Sequence, residues 1–360
     1  MTTKAIHQVL VSATEGDAIT QMALNLRDEL REHCTSNIYA HWRHGDRMER
    51  ECQSLSDLPR SEETGLLLYH SSIGWQDVTD VLMSRTERIA LSYHNITPAH
   101  FYKDHNPDFV KGLELGRWEL QALKDRVVLT IADSAFNASD IEGEGYGNVH
   151  VIPAGLNPSR MSDENYDVEL LGHLHRRFPN GYVVAVGQIL PHKRIEQLLA
   201  TMHLMNSTYW KNIGLVVCGI ARQPQYWASV VEYQARTAMV DVNFAGSVSD
   251  RELATYIRGA SAYIGMSDHE GFCIPPVEAA SMGVPVVIKG AGAVPETMGD
   301  GALVMPADAS PVLAAEAINE VLTNNELRYR LIRNGYLRVK DLEGRKPVDA
   351  TVAMLLEAVA

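Results

Sequence analysis

The sequence is poor in cysteine, in basic residues relative to acids, and in long apolar runs. Its four cysteines, Cys34, Cys52, Cys218 and Cys273, show no paired spacing and no accompanying zinc-type histidines, so neither a disulfide framework nor a structural zinc site is read. They are expected to be reduced thiols of a cytoplasmic protein. Lys and Arg number 32 against 45 Asp and Glu, for a formal net charge of −13. That balance argues against nucleic acid as the main partner, because phosphate backbones attract basic surfaces. Recruitment to a membrane surface would need a local basic patch rather than overall charge. No apolar run approaches the roughly 20 residues that cross a bilayer. Residues 1–7 run straight into a strand with no apolar signal core. The expectation is a soluble protein, at most peripheral to the inner face of a membrane. No Asp-x-Asp stands near a strand end and no His/Asp ligand set is clustered, so neither a metal nor another cofactor is expected. Solenoid repeats and low-complexity tracts are also lacking.

What is there is the material of two cores. Apolar residues make up 46% of the 360 and charged residues 21%, which suits a soluble chain of about two domains. Short apolar runs alternate with helical stretches along most of the sequence, the pattern of strand–helix units around parallel sheets. Val9-Leu10-Val11 centres a first strand, and Gly16 lies in the turn before a helix near 18–33. Gly16 has two equal readings: a backbone position that a substrate can approach closely, or a plain turn. Further strands are read at 36–42, 65–69, 89–95, 127–132 and 149–153, with an amphipathic helix at 110–125. Residues 41–47 are locally basic and aromatic and read as a solvated loop. His94 stands at the carboxyl edge of its strand, just before the Thr97-Pro98 turn. A lone histidine is more often structural; this position raises the functional reading. The polar tract 157–169 has linker composition.

The second half repeats the alternation, with strands at 182–187, 213–219, 242–246, 262–266 and 284–288 and helices at 311–323 and 347–359. Its centre is the loop Ser267-Asp268-His269-Glu270-Gly271-Phe272-Cys273-Ile274 followed by Pro275-Pro276-Val277-Glu278. Two prolines open a helix without loss of an intrahelical bond. Backbone N–H groups of Gly271, Phe272, Cys273 and Ile274 at that helix start make a cradle for phosphate. Glu270 before the helix and Glu278 a turn inside it can each accept two hydroxyl bonds, which suits a ribose and a sugar. The plainer alternative is an ordinary loop with a capping acid. Lys193 opens the helix after the 182–187 strand, where a cation is unfavourable without an anion nearby.

Taken together, Glu270-Gly271-Phe272, the prolines, Glu278-Ala279-Ala280 and Gly283-Val284-Pro285-Val286-Val287 resemble the E-x7-E region of the family-4 retaining glycosyltransferases, the glycogen-synthase and sucrose-synthase superfamily. The resemblance covers most of residues 5–340 and is strongest over 182–306. It implies an α/β, GT-B fold: two Rossmann-like domains facing across a cleft, with a C-terminal helix crossing back to the first. On that pattern, residues 1–165 would bind the acceptor, 166–343 the nucleotide sugar, and 344–360 would form the crossing helix. The resemblance also implies that Gly16 faces the cleft, that His94 stands beside the donor sugar, and that Lys193 meets the donor diphosphate. Where the family usually has an arginine five residues before that lysine, this sequence has Gln188, which donates hydrogen bonds but no charge. The Tyr93-His94-Asn95-Ile96-Thr97-Pro98 stretch resembles a subgroup of bacterial polysaccharide assembly.

The activity so implied is transfer of a hexose-type sugar from a GDP- or UDP-linked donor to a hydroxyl of a glycan or lipid-linked acceptor, with retained anomeric configuration. Glu270 and His94 would orient the sugar; Gln188, Lys193, Glu278 and the 271–274 backbone would hold the nucleotide. A nucleotide-sugar epimerase or a non-catalytic nucleotide-sugar-binding protein are the alternatives. A phosphorylase would be far longer.

Overall fold

The computed structural model describes residues 5–61, 64–156, 162, 165–209, 213–236 and 241–359. Thirteen strands are found among them, in two separate sheets. The first sheet holds β1 (Ala5–Thr14), β2 (Ile38–His44), β3 (Gln53–Ser54), β4 (Thr64–Ser71), β5 (Arg88–Tyr93), β6 (Val127–Ala132) and β7 (Val149–Val151), in the order β3-β2-β1-β4-β5-β6-β7. The second holds β8 (Tyr182–Val186), β9 (Gly214–Cys218), β10 (Val242–Gly246), β11 (Ala262–Gly265), β12 (Val286–Lys289) and β13 (Leu303–Met305), in the order β10-β9-β8-β11-β12-β13. Every pairing in both sheets is parallel. Such strands are covered on both faces, which is why Leu66-Leu67-Leu68-Tyr69 and Leu215-Val216-Val217 are continuous apolar runs, all buried.

The chain forms two compact units. One comprises residues 1–103, 107–155 and 345–360; the other comprises 104–106 and 156–344. Of the polar tract 157–169, residues 157–161, 163 and 164 lie outside the described residues. In each sheet the strand order reverses once, between β1 and β4 and between β8 and β11. At such a switch point the loops leaving neighbouring strands diverge to opposite faces and open a crevice at the carboxyl ends. These are the positions where a site is expected on physical grounds.

Several elements differ from the sequence reading. Residues 41–44 belong to β2 rather than to a solvated loop: Trp42, Arg43 and His44 pair with Ser12, Ala13 and Thr14 of β1. Ladder pairing outweighs their polar composition. The helix Asn325–Gly344 is an addition to the sequence reading. Leu327, Leu331, Gly335, Val339 and Leu342 lie on its buried face, while Tyr329, Tyr336 and Leu337 are exposed among its charged residues.

The last helix, Pro347–Val359, docks on the first unit although it follows the whole of the second. Its Val352 and Leu355 join Ile6, Leu26, Leu30, Leu66, Leu68 and Ile131 in one buried cluster. Leu355 is fully buried, so Leu355→Ala removes apolar contact and leaves a void. The expected loss is about 2–5 kcal/mol, measured as a lower urea midpoint for the transition of the first unit. A change below about 1 kcal/mol would show that the helix adds little to that core.

Candidate active site

In the second unit the loops after β8 and β11 meet at the switch point. Lys193 ends a short 3-10 turn, Pro191–Lys193, and Arg194 then takes a left-handed backbone, φ 54°, before the helix Ile195–Thr208 begins. Lys193 Nζ donates to Glu270 Oε1 at 2.6 Å across 77 positions of sequence. The anion that a lysine at a helix start requires is thus supplied by the protein itself. Glu270 is 8% exposed, and Ser267 and the Cys273 thiol hydrogen-bond to the same carboxylate.

Burial alone would raise the pKa of Glu270. Lys193, by its charge and its hydrogen bond, and then the Ser267 hydroxyl outweigh it and hold the carboxyl below its usual range. Burial would likewise lower Lys193, yet the charge of Glu270 raises it. The two directions agree: this is a standing ion pair. For Cys273, burial and then Glu270 push the thiol well above its ordinary value, so it stays protonated and is no nucleophile. Burial first, then Lys193, lower His192 to about 3, leaving it neutral.

Gln188, Lys193, Glu270 and Cys273 line one cleft, together with Gly187, Ser267 and Tyr263. The helix Ile274–Ser281 starts at its edge, after Cys273 at φ 76°. Pro275 and Pro276 occupy its first turn, so Cys273 and Ile274 supply the N–H donors that this helix end presents. Phe272 is buried, and its carbonyl accepts from Thr297 at 2.7 Å. Glu278 is 1% exposed inside the helix. Burial, and then Cys273, Glu270 and Glu278 around it, push the Tyr263 phenol well above its ordinary value. Gly271 sits between Glu270 and the helix start.

Three parts of this arrangement were not read from the sequence. Asp268 pairs with Arg194 Nε at 3.0 Å and with Lys289, so the Arg194 guanidinium is tied to Asp268 and, at 3.2 Å, to Glu196. Lys289, a charge ending the buried strand β12, was the available signal. The third part is Gly292, at φ 57°, where a Cβ would stand 2.2 Å from the Glu270 carbonyl oxygen. The Ala293 N–H donates to that same oxygen at 2.9 Å. The loop after β12 therefore clamps the backbone of Glu270, and only glycine allows the approach.

The remaining two candidates, Gly16 and His94, belong to the first unit. Gly16 has φ 80° with open space where a side chain would stand, so the turn conformation by itself accounts for glycine. His94 is buried, with Nδ1 2.7 Å from Asp133 Oδ2 and Nε2 2.9 Å from His70 Nδ1. Both ring nitrogens are engaged, a constraint that strand position alone does not show.

Two parallel-sheet units of Rossmann type, one carrying a lysine–glutamate pair and a helix start at its switch point, define the GT-B architecture. The solved structure of Anabaena HepE with UDP and glucose superposes with a TM-score of 0.78 at 15% identity, over 99% of this chain and 100% of that one. Sucrose-phosphate synthase from Thermosynechococcus elongatus gives 0.75 at 16%, again over 99% and 100%. At these identities the likeness is one of fold. Residues 177–338 match the family model of glycosyl transferases group 1. The O-antigen chain mannosyltransferase B of Escherichia coli is 28% identical over 242 residues, 66% of this chain and 61% of that relative. The O-antigen chain mannosyltransferase RfbU of Salmonella typhimurium is 29% identical over 183 residues, 51% and 46% of the two chains. The match thus spans about three fifths of the first relative's length and less than half of the second's. The glycosyl transferases group 1 match is thus carried by residues 177–338 of the second unit, and the chain is similar to bacterial mannosyltransferases.

Three buried histidines set a pH prediction. Burial lowers His7 to about 4 and His192 to about 3, and holds His70 well below its ordinary value. Below the unfolded value of about 6.5 the unfolded chain binds protons that the folded chain refuses, so stability falls as pH falls through that window. Each such group contributes a slope of about 1.4 kcal/mol per pH unit. Urea midpoints should drop steadily from pH 7 to pH 5, and His192→Gln should flatten part of the slope. A stability that holds level or rises on acidification would contradict the assignment.

Proposed function

We propose that this chain is a retaining glycosyltransferase that moves a hexose-type sugar from a nucleotide diphosphate donor to a hydroxyl of a glycan or lipid-linked acceptor. The observation that carries the reading is the Lys193–Glu270 pair beside the start of the helix Ile274–Ser281, at the switch point of the second unit. A departing diphosphate develops charge that an ammonium and helix-start N–H groups stabilise without reorganisation. The names of the relatives speak for mannose, which makes GDP-mannose the first donor to try and the UDP-hexoses the second. A role in polysaccharide or glycoconjugate synthesis belongs to the same proposal.

Glu270 already holds Lys193, Ser267 and Cys273, which disfavours it as a covalent nucleophile. Front-face transfer fits better. The acceptor oxygen bonds to the anomeric carbon as the bond to the phosphate oxygen breaks, and the acceptor proton passes to that phosphate. Glu270 then orients the sugar, and Gln188, Lys193, Glu278 and the 271–274 backbone hold the donor. His94 and Gly16 belong to the first unit, which would carry the acceptor. Acceptors at a cytoplasmic membrane face fit the same reading.

Donor binding is tested by calorimetry with GDP, UDP and their sugars. Glu278→Ala should weaken the favoured nucleotide by about 1–3 kcal/mol; unchanged affinity would remove Glu278 from the site. Charge from Lys193 and the helix start should also make the reaction metal-independent. Turnover in excess EDTA should match turnover with magnesium, and loss of most activity on chelation would show that an ion takes part.

A further inference from the structure

In the first unit four neighbouring strands each deliver one polar residue to a single buried chain of hydrogen bonds. Gln8 lies on β1, His70 on β4, His94 follows β5, and Asp133 follows β6. Gln8 Oε1 meets His70 Nε2 at 2.8 Å, His70 Nδ1 meets His94 Nε2 at 2.9 Å, and His94 Nδ1 meets Asp133 Oδ2 at 2.7 Å. All four residues are less than a tenth exposed. The two imidazole planes are 3° apart with centroids 5.2 Å apart, the geometry of an in-plane bond between rings.

The partners assign the protons. Gln8 Nε2 donates to the Ala23 carbonyl at 3.0 Å, so Gln8 Oε1 is an acceptor and His70 Nε2 carries hydrogen. Burial keeps His70 neutral, so His70 Nδ1 is a lone pair and His94 Nε2 must donate to it. One further proton lies in the His94–Asp133 bond. A carboxylate is a far weaker base than imidazole, so this proton belongs to His94 Nδ1. Asp133 is available for the task because its neighbour Ser134 does the capping: the Ser134 hydroxyl accepts from the Asn137 N–H at 3.0 Å. His94 is fixed from the other side as well, its N–H bonded to the Ser71 carbonyl at 2.9 Å, with Asn95 left-handed at φ 72°.

We infer that Asp133 and His70 are positioning residues that fix the ring plane of His94 and keep a proton on each of its nitrogens. The two anchors are unequal. A bond to a carboxylate is stronger than one to a neutral imidazole, so a sugar hydroxyl displaces His70 and leaves Asp133 in place. His94 thereby offers Nε2–H to the substrate while Asp133 retains the charge on the ring. This inference rests on the proposed transferase reading for its catalytic meaning, but not for its proton count.

The test is nitrogen-15 correlation spectroscopy of the histidine rings in the full chain at neutral pH, with His94→Gln used to assign the signal. The wild-type ring should show both nitrogens protonated. Asp133→Asn, which keeps the shape but removes the charge, should leave a single proton on Nε2. A wild-type ring with only one proton, or a doubly protonated ring unaltered by Asp133→Asn, would overturn the inference. If donor and acceptor support transfer, Asp133→Asn should also lower kcat roughly tenfold or more, with donor affinity kept within about twofold. Unchanged kcat would deny Asp133 its role. Absence of transfer with every donor would fail the transferase reading alone, since the ring spectrum stands apart from turnover.

Discussion

The ion pair between Lys193 and Glu270 is the constraint on which the candidate site depends. Two charges removed from water are costly, and their attraction offsets that cost only with close geometry and further hydrogen bonds. Here the distance is 2.6 Å, and Ser267 and Cys273 complete the carboxylate. Loss of Lys193 would leave Glu270 as an uncompensated buried charge, at a cost of about 3–5 kcal/mol. The loops after β8 and β11 are therefore tied to one another before any ligand arrives. A diphosphate that reaches Lys193 meets an ammonium already shared with Glu270.

Everything around the pair serves to hold it. The Gly292 loop presses on the Glu270 backbone, where a Cβ would stand 2.2 Å from the carbonyl oxygen. Asp268 gathers Arg194 and Lys289, so the guanidinium next to Lys193 is occupied with a structural partner. That leaves Lys193 as the cation of the cleft lining, with Gln188 contributing neutral hydrogen bonds. With the site's one cation shared internally, the proposed donor diphosphate would be held largely through directed N–H groups rather than net charge.

The first unit uses the same physical device with different residues. A chain of four buried polar side chains crosses β1, β4, β5 and β6, and each member satisfies its neighbour. Partly satisfied, such a network would destabilise the unit; fully satisfied, it specifies a single arrangement. Both units thus place fixed polar groups at the carboxyl edge of a parallel sheet, close to where the strand order reverses.

The sequence by itself determined the class of fold. Apolar runs such as 66–69 and 215–217, spaced by helical segments, allow little but parallel strands with covering helices, because burial on both faces needs continuous apolar residues. It also marked Lys193, since a cation at a helix start is unfavourable without an anion nearby, and Glu270 and Glu278 through the longer motif that holds them. The helix Asn325–Gly344 escaped although Leu327, Leu331, Gly335, Val339 and Leu342 repeat at helical spacing, because the exposed Tyr329, Tyr336 and Leu337 blur that stripe. Only the tertiary structure decided that Lys193 and Glu270 touch, that Arg194 is spoken for, and that His94 is bound at both nitrogens. Those facts depend on which strands are neighbours. Strand order is set by packing over the whole sheet, so residues 77 or 62 positions apart become partners with no local trace in the sequence.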